Sequence, residues 1–209
     1  MIVPAMSNAE VVNELLSDYE SVNRKSRYTV EKELKILFKT KKFPVFKAFD
    51  YVTPKSKNRW IYMLDMKSKN EIYQIYVNYH YTQIGLRAAL VMTDGDITFL
   101  NGHLFQRFVE REGLDISNPV DRMKEFFRLN QQISYQVNET LPDGTRKMIG
   151  TFKTGVVLGI RKKIGYKRGL VICNTYISND MLQGNQGLII SGLKEELDNY
   201  QAREEGRKV

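Results

Sequence analysis

Apolar residues in the first forty positions recur at three- and four-residue spacing. Val11, Val12, Leu15, Leu16, Tyr19 and Val22 fall on one side of a helical wheel, the mark of an amphipathic helix that buries one face. Ser7 stands three residues before Glu10, a capping box that starts it. The pattern predicts a helix over 8–22. Arg24 to Tyr28 reads as a basic break. Thr29 then offers a cap for a second helix carrying Val30, Leu34, Leu37 and Phe38, which Lys41 and Lys42 end. Residues 1–43 are expected to form a helical appendage packed on the rest of the domain. Pro44 opens an irregular or edge segment, and Pro54 to Arg59 a turn.

From Trp60 the period shortens to two. Residues 60–66 read as a strand. In 72–81, Ile72, Gln74, Tyr76, Asn78 and His80 alternate with Tyr73, Ile75, Val77, Tyr79 and Tyr81, which gives a strand with one apolar and one mixed face. Residues 86–92 are a third strand. Asp94 and Gly95 form a two-residue hairpin turn, and 97–100 the returning strand. Asn101 is placed to cap a helix over 102–112, closed by Gly113. Asn118 and Pro119 start another, with Val120, Met123, Phe126 and Phe127 turned inward. No clear period marks 131–137.

Pro142-Asp143-Gly144 is a turn. Strands are expected over 147–153, 156–161 and 170–177, with 162–169 as a basic hairpin tip. Ser178 is placed to cap a short turn at 179–182. Leu188, Ile189, Leu193, Leu197 and Tyr200 mark a final helix, weakened by Gly192, and a polar frayed tail follows from 201. Many hairpins without regular strand–helix alternation predict one α+β domain over 1–200. Its sheet is largely antiparallel, with helices packed on one face and helices at both termini.

Composition narrows the chemistry. The chain has 209 residues, 42% hydrophobic and 27% charged, ordinary values for a globular domain. No apolar run reaches the length of a membrane span. The start MIVPAMSNAE lacks the basic flank and apolar stretch of a secretory signal, so a cytoplasmic location is the expectation. Cys173 is the single cysteine. An intramolecular disulfide and a cysteine-rich zinc site are therefore excluded, and a small buried thiol is expected. His80 and His103 are the two histidines; His80 reads as a satisfied sheet residue. No glycine-rich phosphate loop and no HExxH or CxxC occurs. No metal and no cofactor is expected, and Asp94 with Asp96 is assigned to the turn.

The net charge of +8 is unevenly placed. Residues 24–69 hold 14 basic and 4 acidic residues, and 144–168 hold 8 basic and none acidic. Brought to one face, the two segments would attract a polyanion. Arg161, Lys162, Lys163, Lys167 and Arg168 are the candidate phosphate contacts. Twelve tyrosines add aromatic surface on which unpaired bases can stack. The leading expectation is a basic intracellular protein that binds nucleic acid, RNA included, or another polyanion.

The helix over 102–112 carries a second possibility. At 100° per residue Leu104, Phe105, Phe108 and Val109 share one side, and His103, Arg107 and Glu110 the other, with Arg111 at the margin. The positive helix end disfavours a protonated His103, so its neutral imidazole can act as a general base. Arg107 and Arg111 can hold a phosphate, and Glu110 can steer an arginine. This suits RNA cleavage through the 2′-hydroxyl, with Arg107 stabilising phosphoryl charge and Tyr176, His80, Tyr166 or Glu110 as the acid. The bland alternative is the polar outer face of an ordinary packed helix. Residues 99–177, this helix followed by antiparallel strands, loosely resemble small bacterial RNA-cleaving toxin domains, which implies catalysis; residues 1–98 lie outside the likeness. A third expectation is a structural or protein-interaction component of a phage or mobile element, docking through the final helix from Leu188.

Overall fold

Two antiparallel meanders meet along one parallel pair of strands. The computed structural model describes residues 1–40, 42–92, 95–164 and 168–182. The first meander is β1 (Val45–Val52), β2 (Arg59–Met66), β3 (Ile72–Thr82), β4 (Gly85–Val91) and β5 (Ile97–Asn101). Helices α2 (Gly102–Arg111) and α3 (Pro119–Leu129) follow. The second meander is β6 (Ser134–Thr140), β7 (Arg146–Thr151), β8 (Gly155–Ile164) and β9 (Arg168–Ser178). The order across the sheet is β1-β2-β3-β4-β5-β9-β8-β7-β6. The β5–β9 pair is parallel and the others antiparallel, because the helical crossover returns the chain to the far edge before it winds back. The result is an α+β fold with a mixed, mostly antiparallel sheet.

Strand alternation sorts the core into two faces. Ile61, Met63, Val77, Ala88, Leu100, Val171 and Cys173 face α2 and α3. Trp60, Ala89, Ile97, Phe99 and Leu170 face the helix α1 (Asn8–Thr40). The crossover helices thus pack on one face, as the pattern predicts, and α1 covers the other.

Helix α1 corrects the expected break at 24–28: it is one helix of 33 residues. Nothing in the Arg24 to Tyr28 stretch breaks a helix, since neither Gly nor Pro occurs there. Ser26 Oγ donates to Asn23 O at 2.8 Å and Thr29 Oγ1 to Lys25 O at 3.2 Å. Both hydroxyls bond back into the helix, so Thr29 caps nothing. The capping box at the start is present: Ser7 N–H donates to Glu10 Oε2 at 2.7 Å, and Glu10 N–H to Ser7 Oγ at 3.3 Å. Past the supposed break, Val30 and Leu37 carry the buried stripe onto Tyr62, Leu64 and Met66.

The 131–137 stretch contains most of edge strand β6, and one of its residues reports the curvature of the sheet. Tyr135 Oη donates to Thr98 Oγ1 at 3.3 Å, although β6 and β5 stand four steps apart. In a flat sheet those strands would lie roughly 19 Å from each other, so the second meander curls over its own face. Gly150 makes the passage possible, because a Cβ there would lie 2.7 Å from Val157 and 2.8 Å from the Tyr135 ring. A bulge completes the departure from simple alternation. Leu158 pairs with Thr175 but Gly159 with Cys173, which leaves Asn174 extra. Cys173 and Tyr176 therefore face the same helices despite their odd spacing.

Caps divide into those made and those missed. Asn118 Oδ1 accepts from Val120 N at 2.8 Å and Asp121 N at 3.2 Å, which anchors the helix that buries Met123, Phe126 and Phe127. Asn118→Ala is expected to cost about 1 kcal/mol, with Asn118→Ser nearly neutral, measured by urea unfolding. Gly113, at φ +64, ends α2 as expected. Ser178 and Asn101 make no side-chain cap bond, contrary to expectation. Asn101 is occupied elsewhere: Oδ1 accepts from Arg87 Nε at 3.0 Å, and Nδ2 donates to Asn174 Oδ1 at 2.7 Å. Asp94, the expected helix from Leu188 and the tail from 201 lie outside the described residues.

Candidate functional site

Helix α2 is held by Leu104, Phe105, Phe108 and Val109, all buried. This leaves His103, Arg107 and Glu110 on the outer side, exposed. Arg107 Nε–H donates to His103 Nε2 at 3.4 Å, and Arg107 Nη1–H to Glu110 Oε2 at 3.0 Å. Gln106 donates to the other Glu110 oxygen at 2.9 Å. The bonds from Gln106 first, and then from Arg107, hold the Glu110 carboxyl below the usual carboxylate range. The ring nitrogen that a general base would use is thus already in contact with Arg107.

Tyr176 and Arg111 stand apart from that group. Tyr176 is fully buried and meets Phe108 edge to face, with ring centroids 5.5 Å apart. Its hydroxyl donates to Glu112 Oε1 at 2.7 Å and lies 2.9 Å from Thr154 Oγ1. Burial, and next the Glu112 carboxylate, push its phenol well above the ordinary tyrosine range. Arg111 adds its charge here, and its Nη1 is buried without a hydrogen-bond partner among the described residues. Glu112 follows His103 by nine residues, about 14 Å of helix. The five candidate residues thus form two groups, three outside α2 and two beneath its last turn.

The β8–β9 tip is partly committed to structure. Arg161 donates through Nη2 at 2.7 Å and Nε at 3.0 Å to Asp96 Oδ2, and Asp96 Oδ1 accepts from Gly169 N at 2.6 Å. This ties the β4–β5 connection to the tip and occupies Asp96. Lys162, Lys163 and Arg168 are exposed; Tyr166 and Lys167 lie outside the described residues. Between β2 and β8 there are five strand steps, so the two basic segments belong to different meanders.

A set of cations that the segment count flagged but did not resolve lies along α1. Arg24, Lys25, Arg27, Lys32, Lys35 and Lys39 are all exposed. Among the described residues none of the six forms an ion pair. At 100° per residue Arg24, Lys25, Lys32, Lys35 and Lys39 fall within about 100° of one another, opposite Val30 and Leu37. Tyr28, 67% exposed, stands in the middle of the stripe with Lys25 Nζ 5.8 Å from its ring centroid. Glu33 is drawn aside to Lys47 at 2.6 Å, and Glu31 is the exposed acid of the segment. The expected break hid this stripe; an unbroken helical wheel over 8–40 displays it.

The remaining singled-out residues are buried. Cys173 is enclosed, and burial pushes its thiol up to about 12. His80 is 8% exposed, with Nδ1 3.0 Å from Asn78 Oδ1 and Nε2 without a partner among the described residues, so only one ring nitrogen is satisfied by them. Among the described residues no group of three or more His, Cys, Asp or Glu is placed to hold a metal. None of the described helices is long and apolar enough to cross a membrane. Comparison with protein-family models, curated proteins and solved structures finds no match to this chain.

Proposed function

We propose that the protein binds nucleic acid, without sequence preference, through the outer face of α1. The observation that carries this reading is the stripe of exposed cations unpaired among the described residues, Arg24, Lys25, Lys32, Lys35 and Lys39. From Arg24 to Lys39 it extends about 22 Å along the helix, a length over which duplex nucleic acid carries roughly 13 phosphates. Flexible lysines gripping a backbone read charge rather than sequence, and exposed Tyr28 adds a surface for an unpaired base. Anisotropy titrations of labelled RNA and DNA between 50 and 200 mM salt test the reading. Five phosphate contacts predict a slope of log K against log salt of about −4.5 on a duplex and about −3.5 on a single strand. A slope near zero, or no binding at 50 mM salt, removes it.

RNA cleavage is a second reading, favoured by the 3.4 Å contact between Arg107 Nε and exposed His103 Nε2. In it His103 takes the 2′-hydroxyl proton, the 2′-oxygen attacks the adjacent phosphorus as the P–O5′ bond breaks, Arg107 meets the charge on the phosphoryl oxygens, and water protonates the departing 5′-oxygen. Incubation with mixed RNA and DNA is expected to cleave RNA alone, with loss in His103→Ala and Arg107→Ala at unchanged folding. Intact RNA after incubation with wild type ends this reading and leaves the binding proposal standing.

A further inference from the structure

Strand β3 outruns its neighbour. Its last partner on β2 is Arg59, opposite Tyr79, whereas beside β4 it continues to Thr82. At this end of the sheet there is a cleft of about 220 Å³. Ile2 and Pro4 form one wall and Lys57 to Arg59 another, and Tyr79, His80 and Tyr81 contribute from β3. One buried side chain holds both walls. Asn58 Oδ1 accepts from Ile2 N at 2.6 Å, and Asn58 Nδ2 donates to Asp18 Oδ2 at 2.7 Å. Ser56 Oγ donates to Asp18 Oδ1 at 2.6 Å, and Lys57 N–H to Thr53 O at 3.0 Å. A cleft braced in this way needs little ordering when it binds.

Its chemistry is specific. Lys57 and Arg59 are exposed, and among the described residues neither forms an ion pair. Nearby Glu14 is engaged by the Met1 amino group at 3.7 Å and by Asn58 Nδ2 at 3.3 Å. The lining is otherwise mainly apolar, with Tyr81 48% exposed. Asn78 Nδ2 donates to Arg59 O at 2.9 Å, which turns its Oδ1 toward His80. Nδ1 of His80 therefore carries the proton, and Nε2, enclosed on the face opposite Tyr79 and Tyr81, has no partner among the described residues. A cationic mouth beside Tyr79 and Tyr81, which share the Arg59 face of β3, fits an anion attached to a flat ring. The volume is below the roughly 300–1,000 Å³ of drug-sized sites, which suits one base rather than a stacked pair.

We propose that this cleft binds a single nucleotide unit, its phosphate on Lys57 and Arg59 and its base against Tyr79 and Tyr81. The choice of a nucleotide among aromatic anions rests on the nucleic-acid reading above. Asp18, which braces the turn, precedes Arg24 by six residues, about 9 Å of helix, so a strand lying on the stripe extends toward the cleft.

Isothermal titration of the full chain with 5′-AMP, adenosine and inorganic phosphate tests this. The proteins are wild type, Lys57→Ala/Arg59→Ala, and the stripe variant Lys32→Gln/Lys35→Gln/Lys39→Gln, all altered at exposed side chains. Wild type and the stripe variant are expected to bind 5′-AMP alike, and the cleft variant about tenfold or more weaker for want of its charge-assisted bonds. Adenosine and phosphate, each using half the cleft, are expected to bind more weakly than 5′-AMP. No saturable 5′-AMP binding by wild type at millimolar concentration overturns the proposal, as does equal affinity in the cleft variant or equal affinity for adenosine. The stripe reading fails separately, if the stripe variant binds long RNA as wild type does.

Discussion

Lys32→Gln/Lys35→Gln/Lys39→Gln is expected to weaken RNA and DNA binding several hundred-fold at 0.1 M salt. Each phosphate contact on a duplex releases close to one counterion, worth roughly tenfold in affinity at that salt, and three contacts are removed. The salt slope is expected to fall with them, from about −4.5 to about −1.8 on duplex DNA, because two of the five contacts remain. Glutamine matches lysine closely in helix propensity, and the three side chains are exposed opposite the stripe that packs on Tyr62, Leu64 and Met66. Unfolding is therefore expected to be unchanged, so that lost binding reports lost charge. Lys162→Gln/Lys163→Gln is the informative contrast. Arg161 beside them is already tied to Asp96 at 2.7 Å, so this tip variant is expected to lose less than the stripe variant. The opposite order, with the tip dominant, would move the interface to β8–β9 and refute the assignment to α1.

The outer side of α2 was legible in the sequence because one local rule governs it. Leu104, Phe105, Phe108 and Val109 define the buried side, and periodicity alone then puts His103, Arg107 and Glu110 opposite. Hairpin strands and the Asn118 cap were legible for the same reason. The position of Tyr176 was not. Simple alternation from Cys173 puts residue 176 on the other face, and the bulge at Asn174 reverses that parity. A bulge of this kind is set by strand pairing, to which Gly159 contributes: a Cβ there would collide with Ile172 O. Nor could a local pattern announce that Arg161 is held by Asp96, 65 residues earlier. Helix α1 shows a different failure. A polar, basic stretch looked like an interruption, yet helices end at Gly, Pro or a competing cap, and Arg24 to Tyr28 has none. Reading charge as a break concealed the surface on which the binding proposal now rests.

Between pH 7 and pH 4 the fold is expected to lose about 3 kcal/mol at His80 alone. Burial first, and then the facing Arg87 charge, lower its pKa from 6.5 to about 4. The ring sits edge-on to Phe99 at 6.3 Å between centroids, and Arg87 lies directly opposite on β4. Arg87 itself donates to Asn101 and Asn8, and among the described residues no carboxylate forms an ion pair with it or with His80. The folded protein therefore keeps His80 neutral where the unfolded chain already takes up a proton. Stability is fully present above about pH 6.5, falls at roughly 1.4 kcal/mol per pH unit below it, and levels off below about pH 4. Urea unfolding at pH 7, 5.5 and 4.5 measures the slope, and His80→Gln, which cannot titrate, is expected to remove most of it. An equally steep decline in that variant would assign the acid sensitivity to other groups.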